Sequence, residues 1–491
     1  MKELNMKALI LAAGDGSRLG NLTKNKPKPL FQLLGLSLIE RVILTAKQAG
    51  IDEFVIVIGY LGEKIKEKLD DGNRYGVKIA YIENREWQRE NGVSVLKAKE
   101  LLNVNFVLLM SDHIFDDRIL KEFIDYNAKS SVVLAIDRRK PLPGYTKVLE
   151  KEGRIADIGK NIEESNCIDT GIFLCSPKMF YYIEEAVKKG KTELTDGINK
   201  AAQNRDAGIF DITQINSYIP SMRKEAKPFW IDIDTEEDLI KAKKLLIENA
   251  CKGRNDLLAT YINKPIENFI VSRLANKQIT PNQVTILTNI VAYTSTFLFL
   301  EGYLLFASIL TFIVSFMDGV DGKLSRVKIV SSNIGKMEHA FDFLFEHSWY
   351  IALAIYLSKA HGASAILLCT FILLFDGFSH YCAQAFGKAI RDRPLEDYGR
   401  IERLFRKFDG RKNSYIIFIL IGVLLNAPFW SLVAISVWSL VSAMFYSLRT
   451  IKHLVVHPKT WTGRIINTMN KTGVQRCENG EPSHPNSKPK L

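Results

Sequence analysis

Two patterns of apolar and polar positions divide the chain into unlike halves. Up to about residue 250, short apolar runs alternate with charged segments, as in the strands and helices of soluble α/β proteins. From Pro281 onward, apolar runs long enough to cross a bilayer recur between short polar segments. The pattern therefore predicts a soluble α/β domain followed by an all-α membrane domain.

The second half contains six predicted membrane spans. Their approximate ranges are 283–300, 303–322, 336–357, 363–385, 414–427 and 430–447. The connection after the second span carries four Lys and Arg residues, the connection after the fourth carries nine, and the opposite connections contain only Lys359. Because cytoplasmic connections are enriched in Lys and Arg, we expect a multi-pass protein of the cell membrane with both termini in the cytoplasm.

The patterns predict four regions along the chain. We place the soluble domain at 1–250, a linker helix at 251–281, the membrane domain at 282–458 and a polar tail at 459–491. The linker has apolar residues at helical spacing with Lys and Arg between them, which suits a helix lying along the cytoplasmic interface. A plain linker helix fits the same pattern equally well. The Pro-rich tail has the composition of a disordered segment.

Composition narrows the choice of partners. Lys and Arg outnumber Asp and Glu by 66 to 54, a net charge of +12. These basic residues lie beside the apolar spans, so we expect a lipid bilayer and not nucleic acid as a partner. The six cysteines form no CxxC pair, which argues against a disulfide framework or a zinc site and fits a reducing compartment. The apolar start of the chain lacks a cleavage site, so we expect no cleavable signal.

Five carboxylates lie at the ends of two apolar spans, where ionisable residues are costly and indicate function. Asp318 and Asp321 end the second span, whereas Glu338, Asp342 and Glu346 open the third. The last three recur every four residues and therefore share one helix face. Carboxylates crowded in this way repel one another unless cations lie between them. Mg²⁺ or Mn²⁺ suits such oxygen ligands, and two ions would bind a diphosphate.

This stretch resembles the CDP-alcohol phosphotransferases, six-span enzymes with the pattern D-x-x-D-G-x-x-A-R, eight residues, G, three residues, D, three residues, D. The matching positions are Asp318, Asp321, Gly322, Arg326 and Gly335. The resemblance implies a homodimer in which the first three Asp bind two metal ions and the fourth deprotonates an acceptor hydroxyl. The implied reaction transfers a phosphoalcohol from a CDP-alcohol to that hydroxyl. Lys323 and Arg326, both in the predicted connection, would hold phosphate oxygens.

The acids of the third span depart from the family pattern. His339 and Phe343 stand where the third and fourth Asp belong, and Glu338 and Asp342 lie one residue earlier. One residue turns a helix by about 100°. The alternatives are a rewound helix, a variant that uses Glu338 or His339 with Asp342 and Glu346, or a site without catalysis. An inactive site would not need charged residues, which are energetically unfavourable at the ends of membrane spans. We therefore favour Glu338 and His339 as metal ligands and Asp342 as a catalytic residue.

A glycine loop follows the first apolar strand, in ALILAAGDGSRLGNLTKNKPKPL. Backbone N–H groups of such a loop bind phosphate, although a tight strand-to-helix turn is the simpler alternative. The candidate phosphate-binding residues are Ala13, Gly14, Asp15, Gly16 and Ser17. Arg18 and Lys28 would neutralise a triphosphate, and the alternative for Lys28 is a solvated surface charge.

The same run resembles the signature of the sugar-phosphate nucleotidyltransferases, L-A-A-G-x-G-x-R-L followed by P-K-P-L. LLMSDHIF and FWIDIDTEEDLIKA resemble that family's two Mg²⁺ positions, which implies ligation by Asp112 and Asp232; a helix cap is the alternative for Asp232. NREWQRENGVSVLKA and IDTGIFLCS imply substrate binding by Asn91, Ser94 and Gly171. The family's fold is a doubly wound α/β sheet. Its reaction is attack of a phosphomonoester on the α-phosphorus of a nucleoside triphosphate.

The two resemblances fit one pathway, in which the first half makes an activated alcohol and the second half consumes it. Fusions in this order are similar to the bifunctional inositol-phosphate cytidylyltransferases and di-myo-inositol phosphate phosphate synthases. That resemblance implies CTP as the nucleotide, a CDP-alcohol intermediate, and inositol-1-phosphate as both alcohol donor and acceptor. Another polyol phosphate or a lipid acceptor stays open. The alternative is an active cytidylyltransferase tethered by an inactive membrane anchor.

Overall fold

The computed structural model describes most of the chain, in seven segments. These are residues 6–17, 23–140, 144–253, 256–330, 337–390, 393–409 and 411–456. The side chains of Glu338 and His339 lie outside the described part. An α/β domain occupies the described residues up to Asn249, and the elements that follow it are helical. The predicted division of the chain into an α/β half and a helical half is therefore confirmed.

Fifteen strands occur among the described residues. They are β1 (Lys7–Ala12), β2 (Gln32–Leu33), β3 (Leu36–Ser37), β4 (Glu53–Ile58), β5 (Lys78–Glu83), β6 (Phe106–Met110), β7 (His113–Phe115), β8 (Val132–Asp137), β9 (Lys147–Lys151), β10 (Arg154–Gly159), β11 (Cys167–Cys175), β12 (Ala207–Asp211), β13 (Tyr218–Ile219), β14 (Lys224–Glu225) and β15 (Trp230–Asp232). Nine of them form one sheet in the order β5-β4-β1-β6-β11-β8-β12-β10-β9.

The sheet is buried on both faces, which explains the continuous apolar sequences of its central strands. β1, β4, β5 and β6 are parallel, and β11 runs antiparallel between β6 and β8. One apolar core packs under the first face around Ile10 and Ile56, and another under the second face around Leu9 and Val55. Parallel strands covered by helices on both faces read as unbroken apolar runs. Phosphate-binding loops of such sheets lie at the carboxyl ends of the strands.

Sixteen α-helices occur among the described residues. They are α1 (Leu38–Gln48), α2 (Gly62–Leu69), α3 (Asn91–Lys97), α4 (Asp117–Ile124), α5 (Lys178–Val187), α6 (Leu194–Gln203), α7 (Glu236–Asn249), α8 (Lys264–Leu274), α9 (Pro281–Glu301), α10 (Leu304–Lys328), α11 (Glu338–His361), α12 (Ala363–Ile390), α13 (Leu395–Tyr398), α14 (Arg400–Phe408), α15 (Lys412–Leu424) and α16 (Pro428–Val456).

Each of the six predicted spans corresponds to a helix, from α9 to α12 and in α15 and α16. Four of them, α9, α10, α12 and α16, are long and apolar enough to cross a membrane, among the residues that the structure describes. The predicted count of six spans is therefore not confirmed. α15 has 13 residues and rises about 20 Å at 1.5 Å per residue. This length is below the roughly 30 Å of a bilayer's hydrocarbon core.

Several helices continue beyond the predicted ends of the apolar runs. α10 extends to Lys328, so Lys323 and Arg326 lie in its last turns and not in a connection. The predicted connection is therefore helical at these two positions. A helix satisfies its own backbone hydrogen bonds, so it continues into polar sequence without cost where its side chains find partners. The acids Asp318 and Asp321 consequently lie on the same rigid helix as these two cations.

The α/β domain docks on the end of the helical bundle that carries these acids. An apolar cluster joins Leu33 and Ile233 of the α/β domain to Val320 and Leu324 of α10. The guanidinium of Arg41, only 1% exposed, donates to the carbonyl of Leu33 within its own domain and to the carbonyl of Val327 on α10, at 2.9 Å. The junction is therefore a packed interface and not a flexible tether.

The predicted linker helix is present as α8, which packs against α10. Gly319 permits the close approach, because a Cβ at this position would lie 2.3 Å from Glu267 Oε1. Glu267 accepts a charged hydrogen bond from Lys323 at 2.6 Å, and the Asn263 amide donates to Ser315 at 2.8 Å. α8 thus forms part of the wall around the membrane-domain acids.

Candidate functional site

The first candidate site lies at the carboxyl ends of β1 and β6 in the α/β domain. Lys28, in a one-turn helix at Lys28–Leu30, is 7% exposed, so the solvated-surface alternative for this residue is wrong. Its ammonium donates to Asp112 at 2.6 Å and to Asp234 at 2.9 Å. Burial lowers the pKa of Lys28, but the neighbouring carboxylates raise it further, so the net pKa lies above the ordinary value. Lys28 is a fixed cation.

The glycine loop from Ala13 to Ser17 runs beside Lys28. Gly16 has a positive φ of 65°, and a Cβ there would lie 2.8 Å from the Cβ of Lys28. Glycine is therefore required both for the backbone conformation and for the approach of the lysine. The backbone N–H of Ser17 donates to the Asp15 carboxylate at 3.1 Å. Arg18 lies outside the described residues.

Pairing of β7 with β15 brings two acids together across the site. The register pairs Asp232 with His113, the first residue of β7, and Asp112 directly precedes His113 in the chain. Single ligand atoms of Asp112, His113 and Asp232 all lie within 4.8 Å of one another. The helix cap of α7 is Thr235, so the capping alternative for Asp232 is wrong. Asp112 and Asp232 therefore meet as the resemblance implied, and His113 joins them.

This cluster fits a divalent cation. In the described part of the chain no hydrogen-bond partner reaches Asp232 Oδ1, although the atom is buried. Burial raises the pKa of Asp232 to about 6, with Asp112 and Asp234 adding to the rise. Burial lowers the pKa of His113, but Asp232 and Asp112 raise it to about 9. The same oxygen lies 3.7 Å from His113 Nδ1, beyond hydrogen-bonding distance. A buried carboxylate close to two others fits a further cation, and oxygen ligands favour Mg²⁺ or Mn²⁺.

Gly171 lies at the floor of the same site. Its φ is 73°, and a Cβ would lie 2.7 Å from His113 Cδ2. Its N–H donates to Asp169 at 2.6 Å, and burial raises the pKa of that carboxyl to about 6. The glycine therefore makes room for His113. The family resemblance implied substrate binding by Gly171 and not this role.

Asn91 and Ser94 lie on α3, and each forms a hydrogen bond within the protein. The Asn91 side chain accepts a hydrogen bond from the Leu194 N–H at 2.8 Å. The buried Ser94 hydroxyl accepts from the Asn84 amide at 2.9 Å. These contacts fix the position of α3, and substrate binding by the two residues stays a prediction.

The second candidate site is a cavity of about 1080 Å³ at the junction of the two halves. Asp318, Asp342, Glu346 and Lys412 line it. The Lys412 ammonium donates to Asp318 at 2.7 Å and lies 3.2 Å from Glu346. The Asp342 carboxyl lies within hydrogen-bonding distance of Asp318. Three of the five predicted acids therefore meet around one cation, which comes from α15.

Asp321 points elsewhere on α10. Its carboxylate is 4% exposed and accepts hydrogen bonds from the Thr285 hydroxyl of α9 and from the Gly322 N–H. Gly335 lies outside the described residues, as do the side chains of Glu338 and His339. Whether Asp321 and these two side chains share one metal site with Asp318 therefore stays a prediction. Crowded carboxylates beside a single ammonium fit a further cation.

The two predicted phosphate-binding cations of α10 are held in different ways. Lys323 is buried and binds Glu267 and the Asn268 side chain, at 2.6 and 2.8 Å. Arg326 donates through Nε to the carbonyl of Ala250 at 2.7 Å. A Cβ on Gly322 would lie 3.3 Å from Arg326 Nη1, so this glycine leaves room for the guanidinium. Both cations line the cavity.

Sequence reasoning missed two groups of the cavity wall, Lys412 and Glu267, and the buried Asp376, which contacts the wall residue His380. Lys412 served in the sequence only as a marker of topology, and Glu267 lies in a segment that resembles a linker. Asp376 interrupts an otherwise apolar run, and this alone is a signal of function that could have identified it. All three become recognisable once the helices that carry them are packed together.

Two family models match the chain. The model described as nucleotidyl transferase matches residues 7–249, and the model described as CDP-alcohol phosphatidyltransferase matches residues 278–441. The first range contains the first candidate site, and the second range contains Asp318, Asp342, Glu346 and Lys412 of the second site.

Curated relatives cover nearly the whole chain. A protein of Aquifex aeolicus named "Bifunctional IPC transferase and DIPP synthase" is 30% identical over 419 residues, which are 84% of this chain and 92% of the relative. A Thermococcus kodakarensis protein of the same name is 26% identical over 463 residues, which are 92% of this chain and 99% of the relative. The solved structure of the inositol-1-phosphate CTP transferase from T. maritima is 27% identical, with a TM-score of 0.42, and covers 49% of this chain and 94% of that one.

Proposed function

The chain belongs to the family of bifunctional IPC transferases and DIPP synthases, and from this premise we propose the two reactions that it couples. It is a bifunctional enzyme that contains a nucleotidyltransferase and a CDP-alcohol phosphotransferase. In the proposed first reaction, CTP and a polyol phosphate form a CDP-alcohol and pyrophosphate. In the second, the phosphoalcohol passes to an acceptor hydroxyl and CMP is released. Inositol-1-phosphate is the proposed polyol phosphate, after the names of the relatives.

One observation supports the first reaction: Lys28 lies between Asp112 and Asp234, beside the glycine loop. A phosphate oxygen of the polyol phosphate attacks the α-phosphorus of CTP, and the bond to the β-phosphate breaks. Lys28 and Arg18 neutralise the triphosphate, and backbone N–H groups from Ala13 to Ser17 hold its oxygens. Positioning and charge neutralisation provide the catalysis, without a covalent intermediate.

Divalent metal is proposed at both sites, as Mg²⁺ or Mn²⁺. Asp112 and Asp232 would hold it in the α/β domain, and Asp318 and Asp321 with Glu338 or His339 in the membrane domain. When bound, such an ion withdraws charge from phosphate oxygens and orients them for in-line attack. The buried Asp232 Oδ1, which accepts no hydrogen bond from the described residues, supports the first assignment. The crowding of Asp318 and Asp342 supports the second.

The second reaction is proposed for the cavity at the domain junction. Its size, about 1080 Å³, suits a nucleotide diphosphate with its acceptor. Arg326 and Lys323, with the backbone near Gly322 and Gly335, would hold the diphosphate. The alternative of an inactive membrane anchor is not supported, because the membrane half itself matches the phosphotransferase family and keeps its first acids. A lipid acceptor in place of a polyol phosphate stays open.

We also propose the membrane topology and the assembly. Six helices cross the bilayer, with both termini and the α/β domain in the cytoplasm, and two chains form a dimer. The alternation of basic and neutral connections supports this topology. The proposed regions are those of the sequence, 1–250, 251–281, 282–458 and 459–491, and the end of α7 at Asn249 supports the first boundary.

One assay tests the two reactions together. The purified full-length chain is supplied with CTP, Mg²⁺ and a panel of polyol phosphates, and pyrophosphate and CMP are followed separately. Both products are expected with inositol-1-phosphate. Pyrophosphate without CMP, for every polyol phosphate and lipid acceptor tried, would reject the phosphotransferase reaction. Pyrophosphate from another nucleotide but not from CTP would reject the nucleotide assignment.

A further inference from the structure

A buried acid lies between two imidazoles, one of which, His380, lines the membrane-domain cavity. Asp376 lies on α12 within LLFDGFSHY, and its carboxylate is 4% exposed. Its Oδ2 lies 3.3 Å from His347 Nε2 and 3.4 Å from His380 Nδ1. Ionisable residues inside apolar helices are retained for function more often than for stability, because they destabilise the inserted helix.

His380 has the contacts of an oriented base. Its Nδ1 lies 3.0 Å from the backbone carbonyl of Asp376, in addition to the carboxylate. Both of these groups accept hydrogen bonds, so Nδ1 carries the proton in the neutral ring and Nε2 is the basic nitrogen. His380 lines the same cavity as Asp318 and Asp342, and its ring is partly exposed.

His347 differs from His380 in its surroundings. It is buried, its Nδ1 donates to the Phe343 carbonyl at 2.6 Å, and the Phe343 ring covers it at a centroid distance of 3.9 Å. Nε2 faces Asp376. Both ring nitrogens are therefore directed at protein groups, which makes His347 a support for Asp376.

Phe343 has no group that could act as the base of the reaction. The residue stands where the family pattern has its fourth Asp, the base. The nearest acids are engaged: Glu346 lies beside the Lys412 ammonium, and Asp342 lies against Asp318. The Phe343 ring instead lies 5.9 Å, centroid to centroid, from the ring of His380.

We propose that His380, oriented by Asp376, is the general base of the phosphotransferase reaction in this chain. The inference rests on the proposed second reaction. The acceptor hydroxyl gives its proton to His380 Nε2, and its oxygen forms a bond to the phosphorus that carries the alcohol. The bond from this phosphorus to the oxygen bridging it to CMP breaks, and CMP leaves with that oxygen. Asp376 stays ionised and stabilises the imidazolium, and the proton then passes to solvent.

The test compares histidine variants of the full-length chain, with CDP-alcohol supplied directly. His380→Gln is expected to lower kcat for CMP release by about 100-fold or more, with the KM for CDP-alcohol unchanged. Pyrophosphate release from CTP stays at the wild-type rate, which shows that the protein is folded. Asp376→Asn lowers the same kcat by less. His361→Gln is the matched control, because His361 ends α11 and stacks on Phe429, away from the cavity.

Chemical rescue separates a base from a structural residue. Added imidazole is expected to restore CMP release in His380→Ala and to leave His347→Gln unaffected. Wild-type kcat in His380→Gln, a rise in KM alone, or failure of imidazole to rescue would each overturn the inference. If the wild-type chain releases no CMP with any acceptor, the proposed second reaction fails, and the assignment of its base fails with it.

Discussion

The ion pair between Lys28 and Asp112 fixes the position of the ammonium in the first site. The Lys28 ammonium is buried and lies 2.6 Å from the partly exposed Asp112 carboxylate and 2.9 Å from that of Asp234. Hydrogen bonds between charged groups are short and strong, and burial keeps them from being screened by salt. The contacts orient the ammonium toward the glycine loop before any nucleotide binds.

We predict that Lys28→Ala abolishes the first reaction and spares the second. Loss of a fixed cation that stabilises the triphosphate is expected to lower pyrophosphate release by about 100-fold or more. CMP release from supplied CDP-alcohol should stay unchanged. Lys24→Ala is the control, since Lys24 is exposed in the same loop. Equal losses in the two variants, or loss of both products in Lys28→Ala, would contradict this assignment.

Gly171 offers a test of whether His113 matters to the first site. Gly171→Ala places a Cβ 2.7 Å from the His113 ring at a φ of 73°, whereas Gly153→Ala has a φ of 75° and open space around it. Both variants are expected to lose about 1 kcal/mol of stability to backbone strain. Only Gly171→Ala should also lose pyrophosphate release. Thermal unfolding and the pyrophosphate assay distinguish the two effects, and full activity in Gly171→Ala would show that the His113 position is not critical.

Asp318 is the acid of the second site with the strongest contact, its hydrogen bond from Lys412. We predict that Asp318→Asn abolishes CMP release and leaves pyrophosphate release at the wild-type rate, because an amide neither binds a divalent ion well nor balances the ammonium. Glu301→Gln, an exposed acid at the far end of α9, is the control. Retention of CMP release in Asp318→Asn, measured with saturating Mg²⁺, would remove the acid from the site.

Helix length limits what the apolar pattern says about topology. α15 is too short to span a bilayer without local thinning, and α11 begins at the acids and is polar at one end. A charge alternation over short connections nevertheless sets orientation independently of helix length. The two criteria disagree for α11 and α15, and they predict different sides of the membrane for the connection that contains α14.

Cysteine labelling resolves this disagreement. In the six-span topology, a cysteine replacing Leu425 after α15 is labelled from outside intact cells, whereas one replacing Lys407 on α14 is labelled only after permeabilisation. Both positions are exposed in the structure. If only α9, α10, α12 and α16 cross, the connection after α12 lies outside and Lys407→Cys reacts in intact cells. Tyr303→Cys, between α9 and α10, is labelled from outside in both cases and serves as the control.

The two halves share an apolar core, so each half is packed directly against the other. Leu33, Ile233 and Ala250 from the α/β domain pack against Val320 and Leu324 of α10. Arg326 reaches back to the Ala250 carbonyl. The end of α10 that carries the phosphotransferase acids is therefore supported by the nucleotidyltransferase domain.

Gly35→Ala tests this support. A Cβ on Gly35 would lie 2.1 Å from the Ala275 carbonyl at the end of α8, so the two halves must separate to accommodate it. We expect slower CMP release and faster proteolysis between residues 251 and 281. Gly50→Ala is the matched control, with a positive φ of 98° and nothing near its Cβ. Unchanged proteolysis and CMP release in Gly35→Ala would show that the junction does not support the second site.

Local chemistry and periodicity were sufficient to predict the α/β half, the helical half and a helix at each of the six apolar runs. The residues of the two signature motifs were assigned through resemblance to known families, and their roles stay predictions. These features depend on neighbours in sequence: alternation, apolar run length and glycine-loop spacing. The helical positions of Lys323 and Arg326 were not predictable in this way, because their partners Glu267 and Ala250 lie on other elements. A charged turn of helix continues or ends according to contacts that are distant in sequence.

Packing brought together what no local pattern connects. Lys412 meets Asp318 across 94 residues of chain, and His113 meets Asp232 through strand register. The Asp376 carboxylate contacts the His347 ring on the neighbouring helix α11. The charge of each group was evident from the sequence, but its partner depends on which helix faces pack. The acids at the ends of the second and third spans are thus a property of the sequence, and the cations and imidazoles that surround them are a property of the folded bundle.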